Sequence, residues 1–150
     1  MTSARANAST NSSGTPLAHK LGIKPDTRVG LISVPEGCDG LLGELPPGVG
    51  LRRRLQGRFD VIVAFCTRRG ELERGLPAWR AALAVDGGLG LAWPKRTSGM
   101  ATDLGEADVR DLGLGAGLVD NKICAIDATW SALRFVYRRA DRPGRARAST

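Results

Sequence analysis

Two runs of the chain, residues 59–66 (FDVIVAFC) and 87–95 (GGLGLAWPK), are nearly all apolar rather than alternating. A strand of that composition is buried on both faces, the state of a parallel sheet covered by helices. Between them Leu72, Leu76, Trp79 and Leu83 recur at helical spacing, so one stripe of 72–83 can lie on the sheet. The pattern predicts a right-handed strand–helix–strand crossover at the centre of an α/β domain. Pro77, inside the helical segment, is expected to kink it or to start a second section.

The flanking elements follow from punctuation. Thr15-Pro16-Leu17 opens a two-turn helix, with Thr15 as cap, and Gly22 ends it. Residues 28–34 form the first strand, closed by Pro35, and a glycine-bearing loop, Pro35-Glu36-Gly37-Cys38-Asp39-Gly40, leads to a brief helix at 41–45. Residues 49–55 read as an edge strand whose Arg52-Arg53-Arg54 keeps it from pairing with another molecule. Asp103-Leu104-Gly105-Glu106 has the form of a capping box, with Asp103 as cap, for a helix running to about Leu112 and ended by the glycines at 113, 115 and 117. Asp120-Asn121-Lys122 reads as a structural turn before a strand at 122–126, and residues 127–131 turn into a last strand at 132–138.

Composition adds boundaries. The chain has 150 residues, enough for one domain with a core. Residues 1–14 and 140–150 lack hydrophobic periodicity and read as tails around a domain at 15–139, the second of them basic. The formal net charge of +7 shrinks between residues 15 and 139, where 18 basic residues meet 14 acidic ones. That is no concentrated nucleic-acid footprint, although Arg52-Arg53-Arg54 and the arginine-rich final tail can attract a polyanion weakly. Cys38, Cys66 and Cys124 make no CxxC pair, which points to a reduced, cytoplasmic setting. No run has the length of a membrane span.

The order of pieces resembles the S-adenosylmethionine-dependent methyltransferase fold. Residues 59–62, the helix and 86–91 resemble its strands four and five, and the terminal strand pair is similar to its closing hairpin. At closer range Gly14-Thr15-Pro16-Leu17, Pro35-Glu36-Gly37, Trp93-Pro94-Lys95 and Leu118-Val119-Asp120-Asn121-Lys122 with Ile126-Asp127 resemble a bacterial family, domain of unknown function 3052. The resemblance implies a three-layer, Rossmann-like α/β fold with a mostly parallel sheet and a C-terminal antiparallel hairpin. The chain departs from the methyltransferase pattern at three places. Its first loop carries Glu36 and Asp39 where a bare glycine turn is wanted, its second strand ends in Leu55-Gln56-Gly57 without an acid, and the third strand is missing. The expectation is therefore the scaffold without a cofactor.

In an open α/β sheet, ligands bind outside the carboxyl ends of the parallel strands. That rule gathers Glu36 and Asp39, Arg68, and Trp93 with Lys95 toward one crevice, with Asp127 and Trp130 nearby. Such a set suits a small anionic or planar ligand, or a protein partner. The plainer reading makes both tryptophans core residues and the charges solvated. His19 is the sole histidine, so neither a Ser/His/Asp set nor a spaced metal site can be assembled, and no catalytic or metal-binding residue is assigned. The chain reads as a non-catalytic binding or interaction module. The alternatives are an S-adenosylmethionine-dependent methyltransferase with an atypical cofactor loop, and a nucleic-acid-associated protein.

Overall fold

The computed structural model describes residues 17–35 and 45–138. The tails, Thr15, Pro16, the loop at 36–40 and all but Leu45 of the brief helix expected at 41–45 lie outside these residues. A short helix, α1 (Leu17–Lys20), precedes strands β1 (Arg28–Ile32), β2 (Gly50–Arg52) and β3 (Phe59–Phe65). Helix α2 (Arg69–Ala82) follows, then β4 (Leu83–Pro94), a 3-10 turn at Arg96–Ser98, α3 (Glu106–Gly115), β5 (Leu118–Ala125) and β6 (Trp130–Tyr137). Among the described residues six strands form one sheet, in the order β2-β1-β3-β4-β6-β5. The first four in that order are mutually parallel, and β6 runs antiparallel to β4 and to β5. The α/β fold with a closing antiparallel pair is the one expected.

Each face of the sheet has its own core. Ile62, Ala64, Leu89, Leu91, Leu133 and Phe135 meet Leu72, Leu76 and Trp79 of α2 and Val109 of α3 on one face. Val29, Val61, Val63, Ala92 and Ala132 meet Ala18, Leu21 and Ile23 around α1 on the other. Strand alternation sends successive residues into opposite layers, so β3 and β4 are apolar at nearly every position.

The connection from β2 to β3 is residues 53–58, six residues that cross β1 without a helix or a further strand. Parallel strands normally need a connection of a dozen or more residues. Two features shorten this one. β2 pairs only with the first half of β1, Arg28 to Gly30, so the chain has little height to lose. Gly30 has no side chain in the way, and Leu55 lies on it. The missing third strand, expected from the resemblance, is thus a physical shortcut over Gly30.

Several expectations need correction. α2 is one helix through Pro77, so no second section starts there; the Pro77 ring and the Glu73 four residues before it are exposed, so water can take the freed carbonyl. Asp103 does not cap α3. Gly105 is the cap residue and Asp108 reaches back to its amide at 3.0 Å. α3 continues through Gly113, which sits against the Phe135 ring where a β-carbon would collide, and it ends near Gly117 in a left-handed conformation. Asp120-Asn121-Lys122 is no turn: β5 runs through it with a bulge that leaves Asn121 without a partner on β6. The last strand begins at Trp130, because Asp127 closes the hairpin turn by accepting the Thr129 and Trp130 amides at 2.8 Å each.

Candidate functional site

Strand order places the reversal of the chain's course between β1 and β3. From β1 the chain moves outward to β2, and from β3 it moves the other way to β4. A crevice outside the carboxyl ends of such a pair is where open α/β sheets take ligands. A cleft of about 290 Å³ opens there, lined by Ser33, Phe65, Cys66, Glu71, Arg74, Gly75 and Trp79. Ser33 and Cys66 are the residues just past the two strands, and the rest come from β3's end and from α2. The 53–58 crossover meets β1 at Gly30, three residues before Ser33.

The local chemistry is mixed. Ser33 stands in a left-handed backbone conformation with φ 57°, a strained position for a serine of the kind that gathers at ligand sites. The Trp79 indole folds back over Gly75, where a β-carbon would meet the ring at 2.1 Å. Burial, with the neighbouring Glu71 carboxylate, pushes the Cys66 thiol up to about 12, so it is protonated at neutral pH. Glu71 is engaged as a cap: its Oε1 accepts the Thr67 amide at 3.1 Å and the Arg68 amide at 3.3 Å. Asp103 accepts the Arg69 amide at 2.7 Å from across the fold. Two carboxylates therefore already occupy the positive end of α2. Thr102 donates to the Thr67 carbonyl at 2.7 Å, and Arg69 pairs with Asp108 at 3.1 Å, which fastens this loop over the end of β3.

Of the residues singled out from the sequence, the described ones do not come together as one crevice. Glu36 and Asp39 lie outside the described residues. Arg68 is exposed at the cap position of α2. Trp93 is buried in the core beneath α2 and α3, and Trp130 in the opposite one, edge-on to Phe65 with centroids 5.2 Å apart. Trp93 and Trp130 are neighbours in the ladder one step out of register, so their indoles leave opposite faces of the sheet. Lys95 is held by backbone, its amide donating to the Thr129 carbonyl at 2.6 Å, and Asp127 is spent on the hairpin turn. Arg52 folds onto its own strand, donating to the Leu51 carbonyl. Sequence reading missed Ser33, Cys66, Arg74 and Trp79 as cleft residues. A signal existed in Gly75 four residues before Trp79, a spacing that lets an indole lie on helix backbone.

Among the described residues no group of three histidine, cysteine or acidic side chains is placed to hold a metal ion. No described helix is long and apolar enough to cross a membrane.

No protein-family model and no curated protein matches the chain. Solved structures do. Fibrillarin of Aeropyrum pernix, with natively bound S-adenosyl-L-methionine, is 13% identical with a TM-score of 0.58, over 87% of this chain and 76% of that one. Precorrin-6y C5,15-methyltransferase of Geobacter metallireducens is 10% identical with a TM-score of 0.57, over 90% and 87%. Magnesium protoporphyrin IX methyltransferase of Synechocystis, with bound SAH, is 11% identical with a TM-score of 0.52, over 91% and 84%. The chain has the fold of these S-adenosylmethionine-dependent methyltransferases.

Proposed function

We propose that the chain is a small methyltransferase-type protein that binds S-adenosylmethionine in the cleft between β1 and β3. The observation that carries the reading is the coincidence of the 290 Å³ cleft with the reversal point of the sheet. The residues present suit an adenosyl group. Trp79 offers apolar surface to a planar base, and Ser33 and Arg74 offer polar groups at the rim. When bound, S-adenosylmethionine supplies an electrophilic methyl group. This reading reverses the sequence-based expectation of no cofactor, and several neighbours of the same fold carry S-adenosylmethionine or SAH. Membership of the domain of unknown function 3052 family is part of the proposal and rests on the quoted motifs alone.

One observation favours a second reading, a non-catalytic binding module on the same scaffold. The described cleft offers no free base, because Glu71 is tied to two amides and Cys66 is protonated. A titration separates the possibilities. S-adenosylhomocysteine added to the isotope-labelled protein should move the Trp79 indole N–H resonance, and S-adenosylmethionine should do the same. No movement at millimolar ligand would remove the cofactor reading. Binding without methyl transfer to any acceptor in a cell extract would favour the module.

A further inference from the structure

Residues 50–58, GLRRRLQGR, carry four arginines and no acid. Averaged over the whole domain that excess is modest, but the fold turns the run back on itself and lays it against a fifth arginine. Leu55 seats the middle of the run on Gly30 of β1. Three residues further on, the Arg58 carbonyl accepts a hydrogen bond from Arg28 Nη1 at 3.2 Å. The Arg28 guanidinium also packs against Gly57 and stands 4.4 Å over the Phe59 ring, which fixes its position. By register Arg28 pairs with Gly50 and Gly30 with Arg52, so these four residues share one face of the sheet. Arg52 folds down that face: its Nη1 lies 3.6 Å from where a β-carbon on Gly50 would stand and donates to the Leu51 carbonyl at 2.9 Å. Two guanidinium groups are thus held on one face of the β2–β1 pair, and the exposed Arg54 and Arg58 come from the crossover laid over it.

Like charges gathered in this way repel one another. Among the described residues, none of Arg28, Arg52, Arg54 and Arg58 forms an ion pair. Asp60, which touches the group, spends its Oδ2 on the Arg28 amide at 2.8 Å. The side-chain donors in use go to the Leu51 and Arg58 carbonyls, which leaves the forks of Arg28 and Arg52 with spare N–H groups. A guanidinium fork matches two phosphate oxygens and stays charged at any ordinary pH. The aromatic residue in contact, Phe59, is fully buried, so unpaired bases have no exposed ring here to stack on. Leu51 alone among the large apolar side chains of the run is exposed, too little apolar surface to enter a membrane. The chemistry that fits is a phosphate backbone whose bases are paired away.

We propose that Arg28, Arg52, Arg54 and Arg58 form a docking surface for the phosphate backbone of duplex nucleic acid. The surface shares no residue with the cleft between β1 and β3, and it stands whether or not that cleft takes S-adenosylmethionine. Arg28 and Arg52, fixed by the fold, hold phosphate oxygens, and Arg54 and Arg58 add contacts from the crossover, so binding proceeds without reading the bases. RNA and DNA duplexes present the same phosphates, so the source is an arm of the test.

The experiment is fluorescence anisotropy of short labelled RNA and DNA duplexes, each in two unrelated sequences, titrated with the full chain over a range of potassium chloride. The wild type is compared with Arg54→Gln/Arg58→Gln and with a control, Arg96→Gln/Lys122→Gln, which removes the same charge from exposed positions elsewhere. The wild type should bind both sequences of a duplex alike, with log affinity falling linearly as log salt rises. Loss of two phosphate contacts in Arg54→Gln/Arg58→Gln should make that slope shallower by about 1.8, while the control keeps the wild-type slope. Arg52→Gln, a single loss on the strand itself, should make it shallower by about 0.9. Binding of one duplex type alone assigns RNA or DNA as the source, and binding of both assigns the backbone they share. The proposal is overturned if no duplex binds at about 50 mM salt. It is equally overturned if Arg54→Gln/Arg58→Gln and the control have the same slope, which would assign binding to net charge or to the arginine-rich final tail. Binding to anionic lipid vesicles without binding to duplexes would also overturn it.

Discussion

Leu55 lies directly on Gly30, its Cδ2 atom 2.7 Å from where a β-carbon on Gly30 would stand. That contact lets six residues do the work of a helical crossover. It also makes a prediction. Gly30→Val should destabilise the fold by about 1–3 kcal/mol through overpacking against Leu55 and Phe59. The same change in a Leu55→Ala background should cost clearly less, because the pair share one space. Urea denaturation of the four proteins measures the coupling, and strictly additive midpoint shifts would show that Leu55 does not rest on Gly30.

Asp103 reaches across the fold to cap α2 through the Arg69 amide. Asp103→Ala should cost about 1 kcal/mol, the usual worth of a side-chain cap. The loss should show as faster amide exchange in the first turn of α2. Faster exchange confined to the first turn of α3 would instead restore Asp103 to the role its sequence position suggests.

Two glycines of α3 should respond in opposite directions. Gly115 has open space around its missing β-carbon and a permitted backbone, so Gly115→Ala should stabilise by about 0.4–1 kcal/mol. At Gly113 the β-carbon would sit 2.1 Å from the Phe135 ring, so Gly113→Ala should destabilise by about 1–3 kcal/mol despite its better helix propensity. Thermal melts of the two variants decide this, and a shared sign would contradict the packing of α3 on β6.

Cys66 sets a pH dependence. Its thiol moves from an ordinary 9.0 to about 12 on folding, mainly because burial disfavours the thiolate. The folded pKa is the higher, so the stabilisation is full below 9.0 and fades as pH rises toward about 12. Cys66→Ala should flatten the fall in stability over that alkaline window. In the native wild type, iodoacetamide at pH near 8 should leave the Cys66 peptide unlabelled, and rapid labelling there would mean an exposed thiolate instead.

The apolar runs at 59–66 and 87–95 announced the central parallel strands, because burial on both faces removes polar residues from every position. The stripe of Leu72, Leu76 and Trp79 announced α2 and the face it buries. The closing hairpin was visible too, although its first residue was not, since Trp130 joins β6 only through the turn that Asp127 closes. These are local signals, carried by residues close in the chain.

What the sequence by itself determined, then, is the alternation of buried strands and amphipathic helices, for periodicity records burial. Tertiary structure alone decided how distant groups meet. It sent Trp93 and Trp130 to opposite cores by one step of register, and placed Asp103 on α2 instead of α3. It also placed the cleft at Ser33, Cys66 and Trp79, residues from three separate elements. The physical reason is that strand pairing and sheet order act between segments far apart in sequence, and a shift of one residue turns a side chain from one face to the other.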